Sequence, residues 1–235
     1  MTIQTIPENL ASVRSRIAAA ARRAGRNPDE VTLVAVSKTF GADHVRAAWT
    51  AGQRDFGENK VQEAEQKIAD TRDLDGARWH LIGHLQSNKA RKAAAPFAVI
   101  QSIDSLDLLQ KVDNAAAAAG AAPEILIQAD LAGEATKHGA AGQDLAAIAR
   151  AALQGRAVKL AGLMLLPPWN ENQEVTRPWF VRLRELRDGL IANGIPAEAL
   201  RHLSMGMSHD FEAAVEEGAT MVRVGTAIFG KRTTV

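Results

Sequence analysis

Cysteine and tyrosine are both absent from this 235-residue chain, and aromatic residues make up only 4% of it. Without cysteine there is no disulfide framework, no thiolate metal site and no cysteine nucleophile. Without tyrosine, no phenol is on hand as an acid or a base. Net charge is nearly absent as well. The 28 basic and 27 acidic residues leave +1, so no global field gathers nucleic acid or anionic lipid. No apolar run approaches the length needed to cross a bilayer. The first thirty residues carry acids and lack the apolar stretch of a secretory signal. A cytoplasmic protein with no membrane and no nucleic-acid partner is the expectation.

What is present is an ordinary globular balance, 46% apolar and 23% charged, with length enough for a sizeable core. Residues 7–24 read as an amphipathic helix. Pro7 opens it, and Leu10, Val13, Ile17 and Ala20 recur at helical spacing. Beyond it strands and helices alternate. Short apolar or β-branched runs at 31–38, 53–56, 78–83, 97–101, 124–129, 159–165, 201–203 and 220–224 read as strands. Helical patterns at 43–51, 61–69, 87–95, 106–119, 145–153, 176–192 and 209–217 separate them. No linker interrupts the series, so residues 1–235 are expected to form one domain. Eight alternating strands predict an α/β fold with a parallel sheet closed into a (β/α)8 TIM barrel, carrying an extra N-terminal helix. The open, doubly wound alternative calls for a glycine fingerprint after the first strand, where Ser37-Lys38-Thr39-Phe40 stands instead.

In such barrels chemistry gathers where strands end. Strand alternation puts Val34, Val36 and Lys38 on one face. Lys38 there is either an ammonium snorkelling to water or an amine of depressed pKa able to join an aldehyde. Asn59, His84 and Met164 fall at other strand ends. Ser208 reads as a helix N-cap with Asp210 in the first turn. Gly225-Thr226 forms a second turn, in the loops where these barrels often bind phosphate; each is equally readable as a plain turn and cap. Arg223 interrupts a buried strand on the side of Met221 and Gly225, facing either a ligand or a structural carboxylate. His80 and His84, placed on one strand face with no third ligand, favour hydrogen-bonded structural roles over a metal site, so no metal is assigned. Glu134, Lys137 and His138 form a charged loop that reads as a solvated edge or, through Lys137, as a second, weaker aldehyde acceptor. Trp169 and Trp179 either roof the pocket or pack its rim.

Four blocks bear a resemblance. AVSKT at 35–39, FGENKVQE at 56–63, WHLIGHLQSNK at 79–89 and the long run from Ser204 to Gly230 are similar to the pyridoxal phosphate homeostasis protein family, in its order and over nearly the whole chain. That family resembles the N-terminal barrel of alanine racemase, called fold-type III. The resemblance implies pyridoxal 5′-phosphate (PLP) as cofactor and Lys38 as its Schiff-base lysine. It further implies Ser208, Gly225 and Thr226, with Gly206, around the phosphate. Arg223 would face the pyridine nitrogen, Asn59 and Met164 would line the ring, and Ser204 would be a neighbouring polar contact. Asp130, where an asparagine is expected, and Lys60 depart mildly from the pattern.

Three functions follow. The first is a PLP carrier that buffers the cofactor and passes it to PLP-dependent apoenzymes, working as a monomer without robust turnover. The second is an amino-acid racemase, but racemases of this fold use a lysine and a tyrosine as opposed bases. The third is a Schiff-base aldolase, for which no carboxylate at the strand ends clearly serves, Glu58 and Asp130 being the candidates. The resemblance favours the carrier.

Overall fold

The computed structural model describes residues 3–133 and 138–230. Its frame is a run of short parallel strands, each buried on both faces as an all-parallel sheet requires. In order these are β1 (Thr32–Val36), β2 (Asp55–Glu58), β3 (Arg78–Leu81), β4 (Val99–Ile103), β5 (Glu124–Asp130), a two-residue β6 (Ala140–Ala141), β7 (Lys159–Leu165), β8 (His202–Ser204) and β9 (Met221–Val224). Pairing runs β4-β3-β2-β1-β9-β8-β7-β5, and β4 also pairs with β5, which closes the ring. The eight-stranded parallel TIM barrel is therefore present, and β6 is a short appendage on β5.

The strands sort their side chains by alternation. Leu33, Ala35, Phe56, Trp79, Ile100, Ile125 and Leu163 point outward into the layer beneath the helices. Val99, Leu126, Ala161, Met164 and Met221 fill the barrel interior. The helices are α1 (Ile6–Arg23), α2 (Ala42–Thr50), α3 (Val61–Asp70), α4 (Ala90–Ala93), α5 (Leu106–Ala119), α6 (Leu145–Leu153), α7 (Gln173–Ala192), α8 (Phe211–Glu216) and α9 (Thr226–Phe229). Strand positions differ from the sequence reading mainly by one or two residues at the ends. The predicted helix over 87–95 is a 3-10 turn at Ser87–Lys89 followed by one turn of α4.

Helix α1 explains how the barrel finishes. β9 is followed only by the four-residue α9 among the described residues. Helix α1 packs against α8, α9 and α2, which places it over the β9–β1 groove that an eighth full-length helix would otherwise cover. Ile6, Leu10, Val13, Ile17 and Ala20 form its buried stripe. Polar bonds then set its angle. Arg14 donates to the Ala51 carbonyl and to Gln53, and Asn9 donates to the Ile228 carbonyl.

Candidate functional site

A cavity of about 500 Å³ opens at the carboxyl ends of the strands, within the range of small-molecule sites. It is lined by Lys38, Asn59, Ser208, Arg223, Gly225 and Thr226, six of the nine residues singled out in the sequence. The other three stand behind it. Met164 is fully buried in the barrel interior, Ser204 is fully buried, and Gly206 shapes a turn. Gly206 has φ +91°, and a Cβ there would meet that of Ala214 at 2.6 Å, so only glycine fits.

Lys38 is not on the strand. β1 ends at Val36, and Lys38 sits in a turn closed by a bond from the Phe40 N–H to the Ser37 carbonyl, 3.0 Å. Thr39, the third residue of that turn, has φ +69°, a conformation that usually calls for glycine. It is the one non-glycine residue with positive φ among the described residues, and such strain costs roughly 1–3 kcal/mol. A buried ion pair holds the turn in place. Lys67 of α3 donates to the Ser37 carbonyl at 2.8 Å and pairs with Glu58 at 2.5 Å, while the Ser37 hydroxyl donates to the same Glu58 oxygen at 2.6 Å. Burial pushes the Glu58 carboxyl above the usual range, and the Lys67 ammonium opposes that push. Neither residue was singled out as structural support in the sequence. The signal was present only as a carboxylate and a lysine nine positions apart, which nothing local ties together.

Arg223 is held by a second system. It donates to the Ser204 hydroxyl at 2.6 Å and to the Leu165 carbonyl at 2.8 Å. Ser204 donates to the Gln101 carbonyl oxygen at 2.6 Å, the Gln101 amide meets His80 Nδ1 at 3.0 Å, and His80 Nε2 meets Asp55 at 2.9 Å. Because the Gln101 amide can only donate, His80 Nδ1 is the acceptor and Nε2 carries the proton toward Asp55. His80 thus has the hydrogen-bonded structural role expected of it. Burial pulls Arg223 down to about 10, so it stays charged at neutral pH.

The third corner differs from the sequence reading. Ser208 does not cap α8, which starts at Phe211. Asp210 holds that position and accepts from the Met207 N–H at 2.6 Å. The Ser208 hydroxyl instead accepts from the N–H groups of Gly225, 3.1 Å, and Ala227, 3.4 Å, tying the loop after β8 to the start of α9. Thr226 and His209 line the same cavity. His209 Nε2 is buried with no hydrogen-bond partner, 3.3 Å from Asp210 Oδ2.

The rim adds Ile82, Gln128, Leu166 and Met207, which sequence reasoning does not single out, and His138 of the charged loop also lines the cavity. Gln128 donates to the His138 carbonyl. Trp169 is 65% exposed and also lines the mouth, while Trp179 packs against the outer core. The shared face predicted for His80 and His84 is not found. β3 ends at Leu81, so His80 points inside the barrel while His84 lies on the rim loop beside Asp104. Glu134 and Lys137 lie outside the described residues.

The donors around the cavity form a matched set. An amine, a guanidinium and two hydroxyls suit a ligand with an aldehyde, a ring nitrogen and a phosphate. PLP has all three groups.

Comparison with known proteins agrees. Residues 9–233 match the family described as alanine racemase, N-terminal domain. The pyridoxal phosphate homeostasis protein of Pseudomonas aeruginosa is 45% identical over 230 residues, covering 98% of this chain and 97% of that one. That of Aquifex aeolicus is 42% identical over 225 residues, covering 96% and 97%. The structure of PipY from Synechococcus elongatus with PLP bound superposes with a TM-score of 0.85 at 41% identity, covering 96% of this chain and 100% of PipY. Alanine racemase from Corynebacterium glutamicum shares the fold at a TM-score of 0.72 and 16% identity, over 98% of this chain and 62% of that one.

Proposed function

This chain belongs to the alanine racemase N-terminal domain family and, within it, to the pyridoxal phosphate homeostasis proteins, and on that premise we propose that it binds PLP, buffers it and hands it on. The observation that carries the reading is the meeting of Lys38, Arg223 and the Ser208–Gly225–Thr226 corner in one cavity at the strand ends.

When bound, PLP supplies an aldehyde that condenses reversibly with an amine. Lys38 is the amine this chain offers. Its turn, pinned through Ser37 by Lys67, fixes the backbone from which Nζ reaches the cavity. Arg223 is a permanent donor whose charge disfavours a proton on any ring nitrogen beside it, which weakens electron withdrawal through the ring. Both terminal nitrogens of Arg223 are anchored by neutral oxygens, so it is oriented without being neutralised. Thr226 offers its hydroxyl to the phosphate. Ser208 keeps the loop after β8 against the start of α9, which sets the shape of the phosphate corner. Gly206 and Ser204 act from behind, by turn shape and by holding Arg223. Asn59 lines the ring space and Met164 supports the barrel interior below it.

A reversible link suits storage and delivery. PLP-dependent apoenzymes are the recipients this reading requires, and a cytoplasmic monomer is its expected form. Among the described residues, no helix is long and apolar enough to cross a membrane.

The test is spectroscopic. Purified protein loaded with PLP should show a visible chromophore, and borohydride should fix the cofactor to Lys38 when the modified peptide is mapped. Lys38→Ala should abolish both signals. Loaded protein should also restore the activity of a PLP-dependent apoenzyme. A fixed adduct mapped to Lys67 or Lys137 in the native protein overturns the assignment. Racemisation or α-proton exchange of a free amino acid at ~1 s⁻¹, the low end of ordinary enzyme rates, overturns the carrier reading.

A further inference from the structure

On the cavity rim three potential metal ligands converge from three separate segments. His84 follows β3, Asp104 follows β4, and His138 precedes β6. One ligand atom from each lies within 4.8 Å of the others. His84 Nδ1 is 3.4 Å from Asp104 Oδ2. The rings of His84 and His138 stack with centroids 3.4 Å apart and planes 11° from parallel.

We propose that His84, Asp104 and His138 form a binding site for a divalent first-row transition ion of the zinc class. The spacing supports it. Tetrahedral ligands at about 2.0–2.1 Å from zinc stand roughly 3.4 Å from one another. One separation, His84 Nδ1 to Asp104 Oδ2, already has that size, and His138, an exposed side chain whose ligand atom lies within 4.8 Å of both, comes to it by turning out of the stack. The donor set supports it too. Two imidazoles and one carboxylate favour zinc, cobalt or nickel over magnesium or calcium, which prefer all-oxygen shells. Three protein ligands leave at least one position for water or an incoming donor, the arrangement of an open rather than a structural site. Because His84 and His138 also line the cavity, the ion sits at the mouth through which the cavity's ligand passes. The site is separate from the Lys38 and phosphate corners, so its existence does not depend on which cofactor the cavity holds.

Calorimetric titration of the full chain with zinc chloride, after dialysis against a chelator and then chelator-free buffer, tests this. One equivalent of zinc should bind saturably, and magnesium should give no comparable heat. His84→Gln and His138→Gln should each weaken zinc binding at least tenfold, as should Asp104→Asn. Cobalt substituted at the site should develop a visible ligand-field band that both histidine variants lose. The far-ultraviolet circular dichroism of these rim variants should match the parent; if Asp104→Asn misfolds, the two histidine variants decide. His209→Gln, at the opposite corner, should leave zinc binding unchanged. Absence of one-to-one uptake overturns the site. So does uptake undisturbed in both His84→Gln and His138→Gln, which would assign the zinc to other histidines or to the bound cofactor.

Discussion

Two buried polar systems flank the cavity, and they solve the same problem by different means. Beneath Lys38, Lys67 and Glu58 are a charged pair, both almost sealed from water. Beneath Arg223, a cation is held by a hydroxyl and a carbonyl, continued through an amide and an imidazole to Asp55. In the first system one charge exists to compensate another, and Glu58 Oε2 still lacks a hydrogen-bond partner. In the second, neutral dipoles solvate a charge that faces the cavity. The field of the Asp210 carboxylate favours the protonated Arg223. The pair is a brace, set between β2 and α3. The relay leaves a charge available to a ligand.

That difference predicts unequal costs when each is broken. Lys67→Met strands a buried carboxylate and should destabilise by about 3–5 kcal/mol, whereas Glu58→Leu with Lys67→Met should recover most of the loss, because a buried pair gains little over apolar packing. Urea unfolding of the two single variants and the double measures this. Recovery to within about 1 kcal/mol would mark the pair as serving position more than stability. Equal losses in single and double variants would contradict the brace.

The phosphate corner gives the next largest effect. Thr226→Val removes one hydrogen bond to a charged group, worth about 1.5–3 kcal/mol, or roughly ten- to a hundredfold in PLP affinity. Pyridoxal without its phosphate should bind both forms alike in a fluorescence titration. A loss shared equally by the two ligands would move the phosphate elsewhere.

Breaking the relay should cost less than breaking the pair, since only dipoles are orphaned. Gln101→Met leaves the Ser204 hydroxyl and His80 Nδ1 short of a partner, at about 1–3 kcal/mol. Arg223 keeps its Leu165 bond, so the loaded protein should still form its chromophore, with an altered pH dependence. Unchanged stability and an unchanged spectrum would deny the relay any role.

The smallest effect at neutral pH lies at the floor of the barrel, where His202 sits at the start of β8. Burial first, then Arg201, lowers it from 6.5 to about 4. The unfolded chain takes up this proton near 6.5 and the folded chain only near 4. Between those values the unfolded state binds more protons, so stability falls as pH drops through the window, and the penalty is complete below 4. Above 6.5 neither state is protonated and the contribution vanishes. His202→Gln should flatten the part of the stability–pH curve between 6.5 and 4, read by thermal melts across that range.

Much of this molecule is legible in its sequence because much of it is periodic. Apolar runs separated by helical patterns specify a parallel α/β barrel, since each run buries both faces and each helix one stripe. Leu10, Val13 and Ile17 specified α1 as a packed helix for the same reason. Strand ends in such a barrel share one rim, so the sequence alone groups Lys38, Asn59, Arg223, Gly225 and Thr226. The resemblance then supplied roles that periodicity cannot.

Other features depend on residues far apart in the chain that only folding brings within reach. Alternation extends the first strand to Lys38, because it says nothing of a turn imposed by Lys67 from the next helix but one. Ser208 reads locally as a cap for the helix beside it, because the N–H groups it serves are 17 and 19 positions away. His84 looked partnerless until the rim brought Asp104 and His138 to it. Local pattern is set by the free energy of burying a face and is written residue by residue. Hydrogen-bond partners across a closed barrel are chosen by geometry, and ring closure alone decides which strand ends meet.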